Sequence, residues 1–315
     1  MNKKNNLSPY FSFTKNEWSK LSADTKLTLS EIEIEKLRGL NVPMSIEEVR
    51  DVYLPISRLM NLYVAATQEL FKATSIFLEK KSYKVPFIIG IAGSVAVGKS
   101  TTSRVLQALL SRWPNHPNVS LVNTDSFLMS NKELDKKGLM NRKGFPESYK
   151  LSQLLDFLHN VKSGKDNIKA PIYSHLLYDK IPNKFIEIKN PDILIVEGLN
   201  VLQPAPLPKN GNAIPYVSDF FDFSIFVDAE EGHIKNWYID RFLKLKETAF
   251  KDKSSYFNKY AELGKKEAIN QATELWEGIN HLNLIENILP TRQRANLIMK
   301  KSSDHSISDI YLRKV

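Results

Sequence analysis

Residues 93–101 read GSVAVGKST and fit the spacing G-x-x-x-x-G-K-[ST] without a mismatch. Glycines let such a loop wrap closely, so that successive backbone N–H groups point at one chain of phosphates. The helix that follows adds its positive end. Gly93, Ser94, Val95, Ala96, Val97 and Gly98 are the expected cradle, continued by Lys99, Ser100 and Thr101. Lys99 should reach the β- and γ-phosphates, and the Ser100 hydroxyl should ligate Mg²⁺. This constellation predicts a binder of a nucleoside triphosphate.

What becomes of the terminal phosphate depends on a few further residues. Asp125 ends the run LVNTD and Glu197 ends DILIVE, so both carboxylates sit where a sheet would turn towards the phosphate loop. Asp125 suits the base that takes a proton from an acceptor hydroxyl, or else it caps a turn. Glu197 either supports a magnesium site from the second shell or simply caps. Arg241 falls on an otherwise apolar helical stripe with Ile234, Tyr238 and Leu245, so it must snorkel or meet an anion such as a transferring phosphoryl group.

Competing chemistries lack their signatures. A guanine switch needs N-K-x-D, but Asn183-Lys184 is followed by Phe185-Ile186, and Asp135-Lys-Lys-Gly138 has no strand before it. A nucleic-acid motor would end its apolar strand in Asp, where this chain has Glu197. A small-molecule kinase remains, with another acceptor hydroxyl, such as that of uridine or a sugar phosphate, as the nearest alternative substrate.

The elements that must position these residues are legible as a pattern. Short apolar runs at 87–93, 119–125, 192–198, 223–229 and 295–302 alternate with helical stretches, as in a parallel sheet buried on both faces. STTSRVLQALLSRW supplies the helix after the loop, residues 232–249 a second, and 264–289 a long helical stretch able to cover the sheet or to dimerise. Residues 182–191 suggest a peripheral strand, and 203–218 a Pro/Gly/Asn-rich loop. Upstream the chain reads helical: Ser30 and Ser45 each open a capping box, Gly39 is a stop, and Pro55 should break or bend a helix that resumes to about Leu78. The expected fold is α/β: a P-loop NTPase-type parallel sheet flanked by helices, with helical additions at both ends. Residues 1–315 are expected to form one domain, with 1–85 packed on a sheet core at 86–315.

Bulk properties narrow the class. The 315 residues carry a formal charge of +9 and no cysteine, so thiolate metal sites and cysteine nucleophiles are excluded. The lysines are dispersed and no aromatic–basic platform accompanies them, so the charge suits polyanionic nucleotides without implying nucleic acid. No run approaches the length of a membrane span, and MNKKNNLSPYFSF lacks a signal-like apolar region, so a cytoplasmic protein with no membrane partner is expected.

GSVAVGKSTTSRVLQALLSRW, NTDSF, GLMNRKGFPES, PIYSHLLYD, PDILIVEGLNVLQ, WYIDRFLKLKETAF, NLIENILPTR and KSSDHS together resemble the type I bacterial pantothenate kinases, from about residue 10 to the end. The resemblance implies ATP- and Mg²⁺-dependent phosphorylation of pantothenate to 4'-phosphopantothenate, the first step towards coenzyme A. It also implies a homodimer and inhibition by coenzyme A. It implies catalytic roles for Lys99, Asp125 and Arg241, and a pantothenate pocket of Tyr173, His175, Tyr178, Tyr238 and Asn280. Asn41 and His305 would flank the adenine, and Arg104 with His175 would contact coenzyme A. Two positions depart from the family: Ser126 replaces a glycine after Asp125, and Leu245 replaces a phenylalanine in the region that packs on the thiol end of coenzyme A.

Overall fold

The computed structural model describes residues 9–40, 42–80, 84–204 and 216–314. Nine strands are formed among them: β1 (Tyr10–Thr14), β2 (Phe87–Gly93), β3 (Val119–Asn123), β4 (Ile168–Ser174), β5 (Asp179–Ile188), β6 (Ile193–Glu197), β7 (Phe223–Ala229), β8 (Leu297–Lys301) and β9 (Ile307–Arg313). Seven build one sheet in the order β1-β9-β8-β7-β2-β6-β3, and β4 pairs with β5 in a separate ribbon. From β3 to β8 every neighbour is parallel. β2 and β6 are buried along their whole length, as strands covered on both faces must be. The expected parallel sheet flanked by helices is therefore present.

The sheet reverses direction at β2. The chain leaves β2 through the Gly93–Gly98 loop and the helix Lys99–Leu110, passes β6 and enters the edge strand β3, whereas β7 lies on the other side of β2. Ligands bind outside the carboxyl ends of strands at such a switch point. Asp125 lies just beyond β3 and Glu197 is the last residue of β6, so both are brought to the loop.

The expected helical additions are present, as the helices Glu31–Leu37 and Leu54–Phe77 before the sheet core and Lys265–Leu275 late in the chain. Beyond them lie two strands that the sequence reading did not include: β9 is antiparallel to β8, and β1 pairs antiparallel with β9. YFSFT carries no strong local signal, because its partner lies some 300 residues away in sequence. Tyr10 Oη donates to Ala295 O at 2.7 Å, which ties the first strand to the end of the chain.

Pro55 does not break its helix. The backbone runs from Ile46 through a π-turn at Val49–Tyr53 into the helix Leu54–Phe77, so the proline falls in the first turn after a widened segment, where no amide donor is required of it. Ser30 forms both halves of its capping box with Glu33. Ser45 forms only one, accepting from Glu48 N, because the Glu48 carboxylate turns inward and accepts from Ile307 N at 3.3 Å. Gly39 follows the helix Glu31–Leu37, but its φ is not left-handed; its N–H donates to Thr101 Oγ1 at 2.9 Å. The stretch after Gly264 comprises the helix Lys265–Leu275 and two π-turns, and it buries Ala268, Ala272, Trp276, Leu284 and Ile288 over the fold. Most of the expected loop at 203–218 lies outside the described residues.

Candidate active site

The loop after β2 has the geometry its sequence demands. Gly93 and Gly98 take φ of +146° and +101°, and Ala96 sits at +61°. Gly98 has a second constraint: a Cβ there would lie 2.9 Å from Lys301 Nζ, an ammonium packed directly behind the loop. Lys99 Nζ donates to Ser94 O at 2.8 Å, so the side chain curls back over the loop. Burial lowers the Lys99 ammonium to a pKa of about 8, although Glu197 and Asp125 oppose the shift; Arg241 reinforces it. A lysine held this way lacks a full counter-charge, which a polyphosphate would supply. Among the described residues Ser94 Oγ is buried without a hydrogen-bond partner, a second group in the loop left unsatisfied. These donors fit a phosphate chain.

Glu197 is 3% exposed and acts as a hub of acceptors. Ser100 Oγ donates to its Oε1 at 2.9 Å, Asn123 Nδ2 donates to the same oxygen at 2.7 Å, and Ser103 Oγ reaches Oε2 at 3.4 Å. With its proton committed to Glu197, the Ser100 oxygen keeps its lone pairs for a cation on the loop side, an arrangement characteristic of outer-shell support. Among the described residues no cluster of His, Asp and Glu could hold a metal by itself. A Mg²⁺ at this point would depend on Ser100 and on the phosphates.

Asp125 stands in the tight turn Thr124–Phe127. Its carboxylate is not the cap of that turn: Asn123 Oδ1 accepts from Asp125 N at 2.7 Å and does the capping instead. The carboxylate is thereby free to face Lys99, Arg241 and the three tyrosines Tyr149, Tyr173 and Tyr178, all of which feel its charge. Ser126, 5% exposed, does not occupy left-handed backbone, so the turn accepts it in place of glycine.

Arg241 projects from the helix Glu231–Glu247 into the same space. Among the described residues it makes no ion pair, and burial lowers its pKa against the opposing influence of Tyr238, Asp125 and Glu197. It is turned inward rather than out to water, within electrostatic reach of Asp125 and Glu197.

Aromatic side chains gather around Asp125 and Arg241. Tyr173 stands edge-on to His175 at 5.3 Å; Tyr178 stacks near Tyr256 and Phe257; Tyr238 packs by Trp276 and is pushed up to about 12 by burial. Asn280 lies beside Tyr238, lowering its phenol against that burial, and donates to Leu275 O at 3.1 Å. Tyr178 takes φ +53° at the bend of the β4–β5 ribbon, a costly conformation for an aromatic residue and one that clusters at functional sites.

The sequence reading missed Lys143. It lies inside GLMNRKGFPES, is 6% exposed, donates to Asn131 Oδ1 at 2.6 Å and to Tyr178 O, and sits 3.8 Å over the Tyr178 ring. Burial lowers it to about 8, opposed chiefly by Asp179 and Asp125. A lysine flanked by Arg142 and Gly144 in a polar run reads as solvated surface; only the fold of Tyr178 over it reveals the burial.

Other expected residues lie around this centre. His305, at φ +70°, stacks on Trp237 at 3.9 Å, and burial lowers it to about 4, so it is a neutral ring. Thr101 is buried and accepts from Gly39 rather than opening into the loop. Arg104 donates to Leu37 O at 2.8 Å. Asn41 lies outside the described residues. Leu245 packs on the small cluster around Phe242 and Phe250. The arginine of ILPTR is structural, since Arg292 pairs with the buried Asp228 at the end of β7 at 3.1 Å.

Residues 88–246 match the phosphoribulokinase / uridine kinase family. Over nearly the whole chain the sequence is similar to curated proteins named pantothenate kinase: 54% identical to one from Xanthobacter autotrophicus, covering 98% of each chain, and 57% identical to one from Brevibacillus brevis, covering 98% of this chain and 97% of that one. Among solved structures, D-glycerate 3-kinase from Cryptococcus neoformans shares the fold with a TM-score of 0.55 at 13% identity, over 80% of this chain and 97% of that one.

Proposed function

From its place in the phosphoribulokinase / uridine kinase family, to whose pantothenate kinases the chain belongs, we propose that it transfers the γ-phosphoryl group of ATP to the primary hydroxyl of pantothenate. The product is 4'-phosphopantothenate, the first intermediate on the way to coenzyme A. The observation that carries the reading is the convergence of Lys99, Asp125, Arg241 and Glu197 at the carboxyl ends of β2, β3 and β6, each within electrostatic reach of Lys99.

Each group has a task its surroundings suit. Ser94 to Gly98 cradle the phosphates, and Lys99 spans the β- and γ-phosphates. Ser100, with Glu197 behind it, would hold a Mg²⁺ whose charge would offset that of the triphosphate. Asp125 accepts the proton of the pantothenate hydroxyl as its oxygen bonds to the γ-phosphorus, while the bond to the bridging oxygen breaks and ADP leaves. Arg241 offsets charge on the group in transit. Tyr173, His175, Tyr178, Tyr238 and Asn280 line the acceptor pocket, with Lys143 poised for a carboxylate or amide oxygen. His305 and Asn41 bracket the adenine.

Inhibition by coenzyme A, through Arg104 and His175 and moderated by Leu245, belongs to the same reading, as does a cytoplasmic homodimer. We take residues 1–315 as one kinase unit, supported by a buried cluster that runs from Tyr10 and Trp18 through the sheet to Ile310. A stripe on the helix Leu54–Phe77, with Leu62, Leu70 and Phe77 at 55%, 69% and 84% exposure, offers a second copy an apolar face.

The test is ADP release from ATP and Mg²⁺ with and without pantothenate, in competition with uridine and sugar phosphates, followed by mass analysis of the product. Pantothenate-dependent release with a phosphorylated product is expected. Release indifferent to pantothenate overturns the substrate.

A further inference from the structure

Behind the catalytic turn lies a cavity of about 30 Å³, lined in part by Thr124, Pro146, Tyr149, Asn200, Val201 and Tyr216. Three buried polar atoms on its walls have no hydrogen-bond partner: Thr124 Oγ1, Tyr149 Oη and Asn200 Oδ1. Buried polar atoms are rarely left unpaired, and three around one small space require an explanation. The space exceeds the roughly 10–15 Å³ that one water needs.

Tyr149 is held there by backbone. It bridges Leu128 in antiparallel fashion; Met129 N donates to Ser148 O and Lys150 N to Phe127 O, both at 2.8 Å. The phenol therefore cannot drift from the turn that carries Asp125. Burial and then the charge of Asp125 hold the phenol well above its usual range, so it stays a neutral donor. Asn200 is fixed in turn by donation of its Nδ2 to Gly144 O at 2.6 Å, which leaves its carbonyl oxygen facing the cavity. Thr124 is pinned against Gly198, where a Cβ would lie 1.9 Å from Thr124 Oγ1.

We propose that Tyr149 is a positioning residue for Asp125, and that the cavity holds one ordered water joining Tyr149, Thr124 and Asn200. The hydrogen-bond inventory closes. The Tyr149 and Thr124 hydroxyls both donate to the water, and the water donates to Asn200 Oδ1. All three orphan atoms are satisfied by one molecule. The arrangement ties Tyr149 to Thr124, the residue before Asp125, and so fixes the turn from which the carboxylate projects. The inference rests on Asp125 being the base, as proposed above.

Tyr149→Phe keeps the ring and removes only the donor. Turnover should fall about tenfold, the effect expected when one buried hydrogen bond is lost and its partners are left unpaired, with KM for ATP and pantothenate unchanged. In an Asp125→Ala background, Tyr149→Phe should cost nothing further, because the two act as a unit. Thr124→Val should reproduce part of the loss, and a crystal structure of the full chain should show the water. Full turnover in Tyr149→Phe alongside a crippled Asp125→Ala overturns the positioning role and leaves Asp125 as base. Additive losses overturn it too, since they mark Tyr149 as structural. Near-normal turnover in Asp125→Ala removes both readings, and an empty cavity removes the water.

Discussion

Lys99 makes a quantitative prediction about nucleotide binding. Burial lowers it to about 8 in the ligand-free protein, where among the described residues it donates to a backbone carbonyl, that of Ser94. A triphosphate lying along the loop restores the ammonium to its ordinary range, near or above 10.5. At about pH 8.5 only about a quarter of free protein carries that proton and nearly all of the complex does, so binding should take up roughly 0.75 of a proton. At about pH 7 the free lysine is already charged, and uptake should fall to about 0.1. The sign follows: the complex holds the extra proton, so affinity is full below pH 8 and declines as pH rises towards 10.5, by roughly 300-fold or about 3 kcal/mol in all. Calorimetry of ATP binding in two buffers of different ionisation enthalpy reads the uptake directly, since the triphosphate itself is fully ionised at that pH. Lys143→Met, which removes another lysine lowered by burial, should leave the uptake in place, and Lys99→Met should abolish it. A binding enthalpy independent of buffer at pH 8.5 would falsify the claim that burial expels this proton.

Three further perturbations test the site and its support. Asp125→Ala should lower turnover by about a hundredfold or more while ATP affinity, read by calorimetry, is retained. Gly98→Ala meets both a left-handed backbone and Lys301 Nζ, so nucleotide affinity should drop at least about tenfold, with roughly 1–2 kcal/mol lost from the unfolding free energy in denaturant. Lys301→Met removes the cation that opposes the burial of Glu48, whose carboxyl is already raised by desolvation. The native state then keeps the Glu48 proton to higher pH than the unfolded chain does. The variant should therefore lose stability relative to its parent as pH rises from about 5 to 8, at about 1.4 kcal/mol for each unit by which that pKa climbs; parallel stability–pH curves would refute the coupling.

The parts of this molecule that sequence reveals are those whose determinants are local. The phosphate loop needs nine adjacent residues, and the core strands need only unbroken apolar runs between helices. Glu197 and Asp125 were legible because each ends such a run. Lys143 and Tyr149 were not, because what makes them unusual is burial created by segments far along the chain: the bend at Tyr178 over the first, the turn at Thr124–Phe127 beside the second. Pro55 misled for a related reason, since a π-turn one residue before it removes the clash that a proline would otherwise impose. β1 is the extreme case, a five-residue strand whose identity is decided by β9.

That pairing has a consequence for synthesis. Tyr10 to Thr14 are made well before Ile307 to Arg313, so the edge of the sheet cannot close until the later strand has been synthesised. Lys301, which backs Gly98, and Ile307, whose amide donates to Glu48, arrive together in that same late-made segment. A nascent chain that has emitted the whole phosphate loop therefore still lacks the wall behind it. A chain halted before β8 and β9 carries the binding motif without its backing, and the loop gains that wall only once these two strands are in place.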